Sequence, residues 1–445
     1  MKLIIYYFIV TKLSFKKRMK FSISFIILSL IIASCNDNQN FYEVDRGAYI
    51  DKLEGFWLGQ CIGNWTGLIT EMDKIGVPVD GKAGGFYTRE DWGKRDQPNL
   101  WGSNNYSQHI NYFFAEKDSI WGSDDDTDIE YIYQELLYNG GSLDFTGEDI
   151  KKAWMMHIHH EEENFLWVSN QKAFDLMNQG IVPPETSNPD INPYYEMIDA
   201  QLTTEIFGLF APTKPKIALD LSYLPIRTTA RENAADIAEF YIIMHSLASK
   251  NTNHRSIKDK ILWMAKTARS HLSDKKYPAK MFDFVYQKYC NQIPWEDTRD
   301  ELNYRYQIQN MDNYFWSKKD KTCNGCFAAG INFGASIISL LYGEGDLKET
   351  IKIGALAGWD SDNPTSTWGG LIGFMLGKKK VEEIFGRKFS SSFNIHRTRR
   401  GFSNGGIDNF RNMALKGQNI VDKVVLKKMS GVIDTINNKW LIPTE

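Results

Sequence analysis

Four aspartates fall within five positions of the stretch WGSDDDTDIEYIYQELL, Trp121 to Leu137: Asp124, Asp125, Asp126 and Asp128. Like charges this dense repel one another, so they need either open water or a cation. A second acidic stretch, GWDSDNPTSTWGG from Gly358 to Gly370, carries Asp360 and Asp362. Both stretches run straight into helical patterns. A carboxylate at a helix start can cap free N–H groups and gains about 0.3–1 kcal/mol from the helix dipole. That accounts for one or two aspartates per helix, not for six across two helix starts. Asp124, Asp126, Asp128 and Glu135 match positions 1, 3, 5 and 12 of a calcium-binding EF-hand loop, but Ile129 stands where such a loop needs Gly. Ile129, Ile132, Leu136 and Leu137 continue a helical face instead. The alternative is one site built from both clusters. Hard oxygen ligands without His or Cys select Mg²⁺, Mn²⁺ or Ca²⁺, and six carboxylates suit two ions better than one.

Two other groups could bind metal. His157, His159 and His160 lie in a helical pattern that puts 157 and 160 on one face, where they read as surface or packing residues before they read as ligands. Cys323 and Cys326 form a lone CxxC with no second soft pair at zinc-site spacing. They fit a disulfide in an oxidising compartment, or two small side chains near a helix start.

The elements that must position these residues are helical. Apolar residues recur at three- and four-residue spacing over Tyr49 to Gly67, Asp128 to Tyr138, Glu148 to Met177, Ala230 to Ser249, Ser256 to Leu272, Phe327 to Tyr342, Leu347 to Ala357 and Thr365 to Leu376. Only KIALDLSYL, Lys216 to Leu224, alternates like a short strand. An all-α single multi-helix domain over residues 44–445 follows. Its first helix carries a stripe of Gly55, Gly59, Gly63 and Gly67, spaced by four. Glycine costs a helix about 1 kcal/mol per position relative to alanine, so the stripe implies close approach of another helix or a ligand. Glu54, Gln60 and Asn64 interrupt its apolar surface, which argues against a membrane helix pair.

The net charge of −3 and the lack of a basic run interleaved with aromatics exclude a nucleic-acid partner. Ahead of the domain, KKRMK (Lys16 to Lys20) precedes an apolar run from Phe21 to Ser34, too short to span a bilayer comfortably. This is the order of an export signal, and Ile32-Ala33-Ser34-Cys35 resembles a bacterial lipobox. Residues 1–34 are expected to be a lipoprotein signal peptide, starting at Met1 or at Met19, and residues 35–43 a lipidated Cys35 with a polar tether. The membrane contact is then a lipid anchor alone, in the bacterial cell envelope.

Three motifs in order resemble the ADP-ribosylglycohydrolase family, the relatives of dinitrogenase-reductase-activating glycohydrolase. Its Gly-Asp-x-x-Gly-x-x-x-Glu pattern reads here Gly63-Asn64-Trp65-Thr66-Gly67-Leu68-Ile69-Thr70-Glu71. Its Thr-Asp-Asp-Thr motif falls on Asp124-Asp125-Asp126-Thr127, and its late Gly-Asp-x-Asp-Thr motif on Trp359-Asp360-Ser361-Asp362-Asn363. PPETSNP, Pro183 to Pro189, is similar to an exported bacterial branch. The resemblance implies an all-helical fold with a binuclear Mg²⁺ (or Mn²⁺) centre. Its ligands would be Asp125, Asp126, Asp360 and Asp362. Asp124 and Asn363, which each replace a family Thr, could add oxygen ligands. Glu71 and Asp362 would be the catalytic carboxylates. Asn64 replaces a family Asp.

The implied reaction is hydrolysis of a glycosidic bond at the anomeric carbon of an ADP-ribose-like group. Two other readings stand beside it: an exported glycosidase or nucleosidase acting on another sugar, and a non-catalytic glycan-binding lipoprotein.

Overall fold

The computed structural model describes residues 40–78, 84–96, 109–160, 164–250, 256–319 and 323–444. The expected signal peptide and Cys35 lie outside the described residues. No helix among the described residues is long and apolar enough to cross a membrane.

The chain enters through strand β1 (Phe41–Asp45) and helix α1 (Arg46–Gly67). Ordered pairing therefore begins inside the stretch read as a tether. Strand β2 (Trp121–Gly122) leads into α2 (Asp125–Asn139), followed by α3 (Gly147–His157) and α4 (Val168–Asn178). The middle of the chain is helical: α5 (Asp199–Thr203), α6 (Ile206–Phe210), α7 (Pro215–Thr229), α8 (Glu232–Ala248), α9 (Ile257–Arg269), α10 (Tyr277–Cys290) and α11 (Trp295–Leu302). Then come α12 (Trp316–Lys319), α13 (Ala329–Gly343), α14 (Leu347–Ala357), α15 (Asp362–Leu376) and α16 (Lys378–Phe385). The chain closes with β3 (Ser392–Asn394), β4 (Ile407–Asn409), α17 (Phe410–Lys427), β5 (Val432–Asp434) and β6 (Lys439–Pro443).

The fold is all-α, with short strands in two three-stranded sheets among the described residues. In one, β6 lies between β1 and β5 and ties the two chain ends together, with Phe41 opposite Pro443 and Asp45 opposite Lys439. In the other, β3 pairs parallel to β2 and antiparallel to β4, with Trp121 opposite Phe393 and Gly122 opposite Asn394.

The centre is the antiparallel pair of α1 and α15. The glycine stripe of α1 lies directly on the backbone of α15. A methyl group on Gly59 would sit 2.1 Å from the carbonyl oxygen of Gly369, and one on Gly67 would sit 2.3 Å from Cα of Asp362. Gly369 and Gly373 return the contact against Gly59 and Gly55. The α1 surface is buried almost all round, from Leu53 to Gly67, so this is a core helix. Its close approach delivers the C-terminal end of α1 to the first residue of α15.

Two expectations about elements need correction. KIALDLSYL is not a strand but lies within α7. Its buried residues Ala218, Leu221, Ser222, Pro225, Ile226 and Thr229 recur by threes and fours, which overrides the short alternation. The run from Glu148 to Met177 is not one helix. It breaks after His157; Phe165 takes positive φ in the connection, and so does Val168, the first residue of α4.

Candidate metal centre

Asp124 is the N-cap residue of α2 and forms a capping box with Thr127. The hydroxyl of Thr127 accepts the Asp124 N–H at 3.0 Å and donates to the Asp124 carbonyl at 3.0 Å. The Asp124 carboxylate also faces the centre, where Asn64 Nδ2 donates to it at 3.3 Å. Ile129 is fully buried in the helix, so the backbone never wraps around an ion as an EF-hand would.

The second motif approaches through a strained turn. Gly358 has φ +95° and Trp359 φ +59°, in the left-handed region that a tryptophan rarely adopts. The turn is buckled to the segment after α1: Met72 N–H donates to the Trp359 carbonyl at 2.8 Å, and Ser361 Oγ donates to the Gly67 carbonyl at 3.0 Å. Asn332 Oδ1 accepts the Asp360 N–H at 3.2 Å. The same buckle brings Glu71, from the end of the glycine helix, beside the second motif.

Side chains separated by almost 300 positions therefore converge. Carboxylate oxygens of Glu71, Asp360 and Asp362 lie within 4.8 Å of one another, and so do those of Asp124, Asp125 and Asp362. Asp362 belongs to both groups and is 3% exposed. Asp126 lies outside both; its Oδ1 accepts Asn363 Nδ2 at 3.3 Å. The Asn363 amide oxygen in turn accepts Gln201 Nε2 at 3.0 Å. Asn363 therefore links Asp126 to α5.

Electrostatics sort the four aspartates of the opening stretch. Asp128 forms an ion pair with Arg399 at 2.9 Å, and both side chains are fully buried. Burial still outweighs the guanidinium and lifts the Asp128 carboxyl to about 6. Asp124 has Arg397 at 3.7 Å; burial raises its carboxyl and Arg397 pulls the other way. Asp125 and Asp126 have no such cation among the causes of their shifts. Burial and then neighbouring carboxylates push both well above the usual range. Asp362 is raised by burial, then by Glu71 and Asp360, and Asp360 is lifted to about 6, chiefly by burial. Without a cation, burial and mutual repulsion favour protons on these carboxylates.

The donor set fits hard divalent cations. It is all oxygen, it is buried except for the partly buried Asp125, and Asp362 Oδ1 has no hydrogen-bond partner among the described residues. A carboxylate shared by two triads is the arrangement that a pair of neighbouring ions needs. The histidines are elsewhere. His157 stacks on Phe402 at 3.9 Å between ring centres and bonds the Arg400 carbonyl, and His160 bonds the Met155 carbonyl. Cys323 and Cys326 are joined in a disulfide.

Several residues of the centre had no motif to announce them. Arg397 and Arg399 come from the segment HRTRRGF after β3, and only the demand for countercharge beside four aspartates pointed to them. Gln201 and Asn332 carried no signal. Asn64 and Asp124 depart from the family pattern in opposite senses, one losing a carboxylate and one gaining it. They touch, so the charge at their contact is kept.

The family model for ADP-ribosylglycohydrolase matches residues 45–388. A solved structure described as an "ADP-ribosylglycohydrolase-related protein complex" is 14% identical, with a TM-score of 0.45 over 84% of this chain and 99% of that one. No curated protein matches the chain.

Proposed function

Because the chain belongs to the ADP-ribosylglycohydrolase family, we propose that it is a metal-dependent glycohydrolase cleaving the anomeric carbon–leaving group bond of an ADP-ribose-like group. The observation that carries this reading is the sharing of Asp362 between two carboxylate triads, one of which contains Glu71. Asp124, Asp125 and Asp362 would hold one divalent cation, and Asp360 and Asp362 a second, with Glu71 beside it. Asp126 and Asn363 stand behind them. Mg²⁺ and Mn²⁺ suit this oxygen set. When bound, such a pair supplies positive charge that orients sugar hydroxyls and makes water more acidic.

The chain's own groups divide the chemistry. Asp362 orients a water and takes its proton as the water oxygen bonds to the anomeric carbon. Glu71 gives a proton to the departing atom as its bond to that carbon breaks. General acid–base help of this kind is worth about 10²–10⁴-fold. Glu71, Asp124, Asp360 and Asp362 are buried and Asp125 partly so, which limits the entry of other water.

The experiment is a substrate panel of ADP-ribosyl, nucleoside and glycan compounds, run with Mg²⁺, with Mn²⁺ and with chelator. Metal-dependent release of ADP-ribose, lost by about 10²-fold or more in Asp362→Asn, supports the reading. Undiminished turnover in that variant refutes it, and turnover confined to another sugar moves the substrate class to the exported-glycosidase reading. We also propose that the protein is anchored in the bacterial envelope through lipid on Cys35, as the basic, apolar and cysteine order of residues 16–35 supports. Membrane partitioning that survives Cys35→Ala would overturn this.

A further inference from the structure

The CxxC pair is left unused by the proposed reaction, yet it is wired to the acidic centre. The disulfide Cys323–Cys326 closes a tight turn in which Asn324 (φ +59°) and Gly325 (φ +72°) are left-handed, and the Ala328 N–H returns to the Gly325 carbonyl at 3.1 Å. The turn leads directly into α13. Asn332, in the first turn of that helix and 1% exposed, reaches back with its amide nitrogen to the Cys326 carbonyl at 2.7 Å and the Ala328 carbonyl at 3.0 Å. Its amide oxygen faces the other way and accepts the Asp360 N–H at 3.2 Å.

A carboxamide is planar and rigid, so its two donors and its acceptor move together. A shift of the turn carbonyls rotates Oδ1 away from Asp360. Asp360 needs that tie, because it follows two residues, Gly358 and Trp359, held in the left-handed region. The disulfide, one side-chain amide and the backbone of a candidate ligand thus form one continuous chain of contacts through the core.

We propose that Asn332 is a positioning residue for Asp360, and that the Cys323–Cys326 disulfide holds Asn332 in place, so that the redox state of the pair tunes cation binding at the acidic centre. The step is ordinary thiol–disulfide exchange. A dithiol delivers two electrons and two protons, the S–S bond opens to two thiols, and the dithiol becomes a disulfide. The turn keeps other ties, including Gln307 Nε2 to the Asn324 carbonyl at 2.8 Å, so the reduced chain stays folded while the relay loosens. This inference rests on the reading of Asp360 as a cation ligand.

The test uses the full chain, oxidised and reduced, with Asn332→Ala beside it. Mn²⁺ affinity is measured by calorimetry, and backbone hydrogen exchange of the peptide containing Asp360 is measured without metal. Outer-shell partners of metal ligands typically tune affinity by about 10–100-fold. Reduction is expected to weaken Mn²⁺ binding of the wild-type protein within that range and to speed exchange at Asp360, with reoxidation restoring both. Asn332→Ala should show the weakened affinity in either redox state, because the relay is already cut. A merely structural role for Asn332 would leave the redox response intact. Unchanged exchange and affinity on reduction, or additive effects of reduction and the substitution, overturn the proposal. If the oxidised protein takes up no Mn²⁺, the metal reading fails, and the metal-free exchange still decides the relay.

Discussion

Gly59→Ala sets two physical effects of opposite sign against each other. Helix propensity alone predicts that alanine stabilises α1 by about 1 kcal/mol. The packing predicts the reverse. The new methyl would lie 2.1 Å from the Gly369 carbonyl oxygen and 2.8 Å from its carbon, and both are backbone atoms that cannot rotate aside. Tolerated contacts begin at 3.0 Å, so α15 must recede by roughly 1 Å in a close-packed core. Overpacking of this kind costs about 1–3 kcal/mol, occasionally more, and the recession must be shared by the Gly55–Gly373 and Gly63–Thr365 contacts on either side. Against the gain of about 1 kcal/mol from helix propensity, a net destabilisation of up to about 2 kcal/mol is expected. In a chain of this length that is only a few degrees of Tm, so a urea midpoint is the better measure. Gly141→Ala, where nothing lies within 4 Å, is the control. The same displacement moves Asp362, at the start of α15, away from Glu71, so Mn²⁺ binding should weaken together with stability. A Gly59→Ala protein as stable as wild type, with unchanged Mn²⁺ affinity, would refute the close-approach argument.

Two further substitutions probe buried charge. Arg399→Ala leaves Asp128 without its partner in a fully buried site, which typically costs about 3–5 kcal/mol. The loss should be smaller at pH 5 than at pH 8, because Asp128, already lifted to about 6, can then take a proton, and Asp128→Asn should recover part of it; equal losses at both pH values in unfolding curves would count against this. Glu130, on α2, and Glu205, just before α6, are buried behind the centre, with Glu205 accepting from Thr367 at 2.6 Å and Glu130 from Gln60 at 2.6 Å. Burial lifts Glu205 to about 7, above its unfolded value, so the folded chain holds a proton that the unfolded chain releases. Stability contributed by that proton is present at low pH and is lost as pH rises from the unfolded value through about 7. Glu205→Gln removes this titration and should flatten the fall in metal-free stability between pH 5 and pH 8, by up to about 1.4 kcal/mol per pH unit; a slope identical to wild type would contradict the assignment.

What the sequence determined was local and chemical. Three- and four-residue apolar spacing marked α1, α8, α9, α13 and α14 to within a few residues, because a helix writes its buried face into the chain at its own period. The glycine stripe announced a close approach, since four helix-weakening residues in a row need a packing reason. The density of aspartates announced a need for positive charge.

Only the tertiary structure decided where that charge comes from. Arg397 and Arg399 answer two of the four aspartates from more than 250 positions away, and Asp362 at the start of α15 joins Asp125 at the start of α2. Nothing local could show this, because a countercharge in a buried site is selected by distance in space and leaves no period in the sequence. The same holds for Asn332, an unremarked helix residue whose two ends happen to touch a disulfide turn and a strained turn. Among the described residues the opening cluster is thus two aspartates with arginine neighbours and two without, a division that the linear order Asp-Asp-Asp-Thr-Asp cannot express.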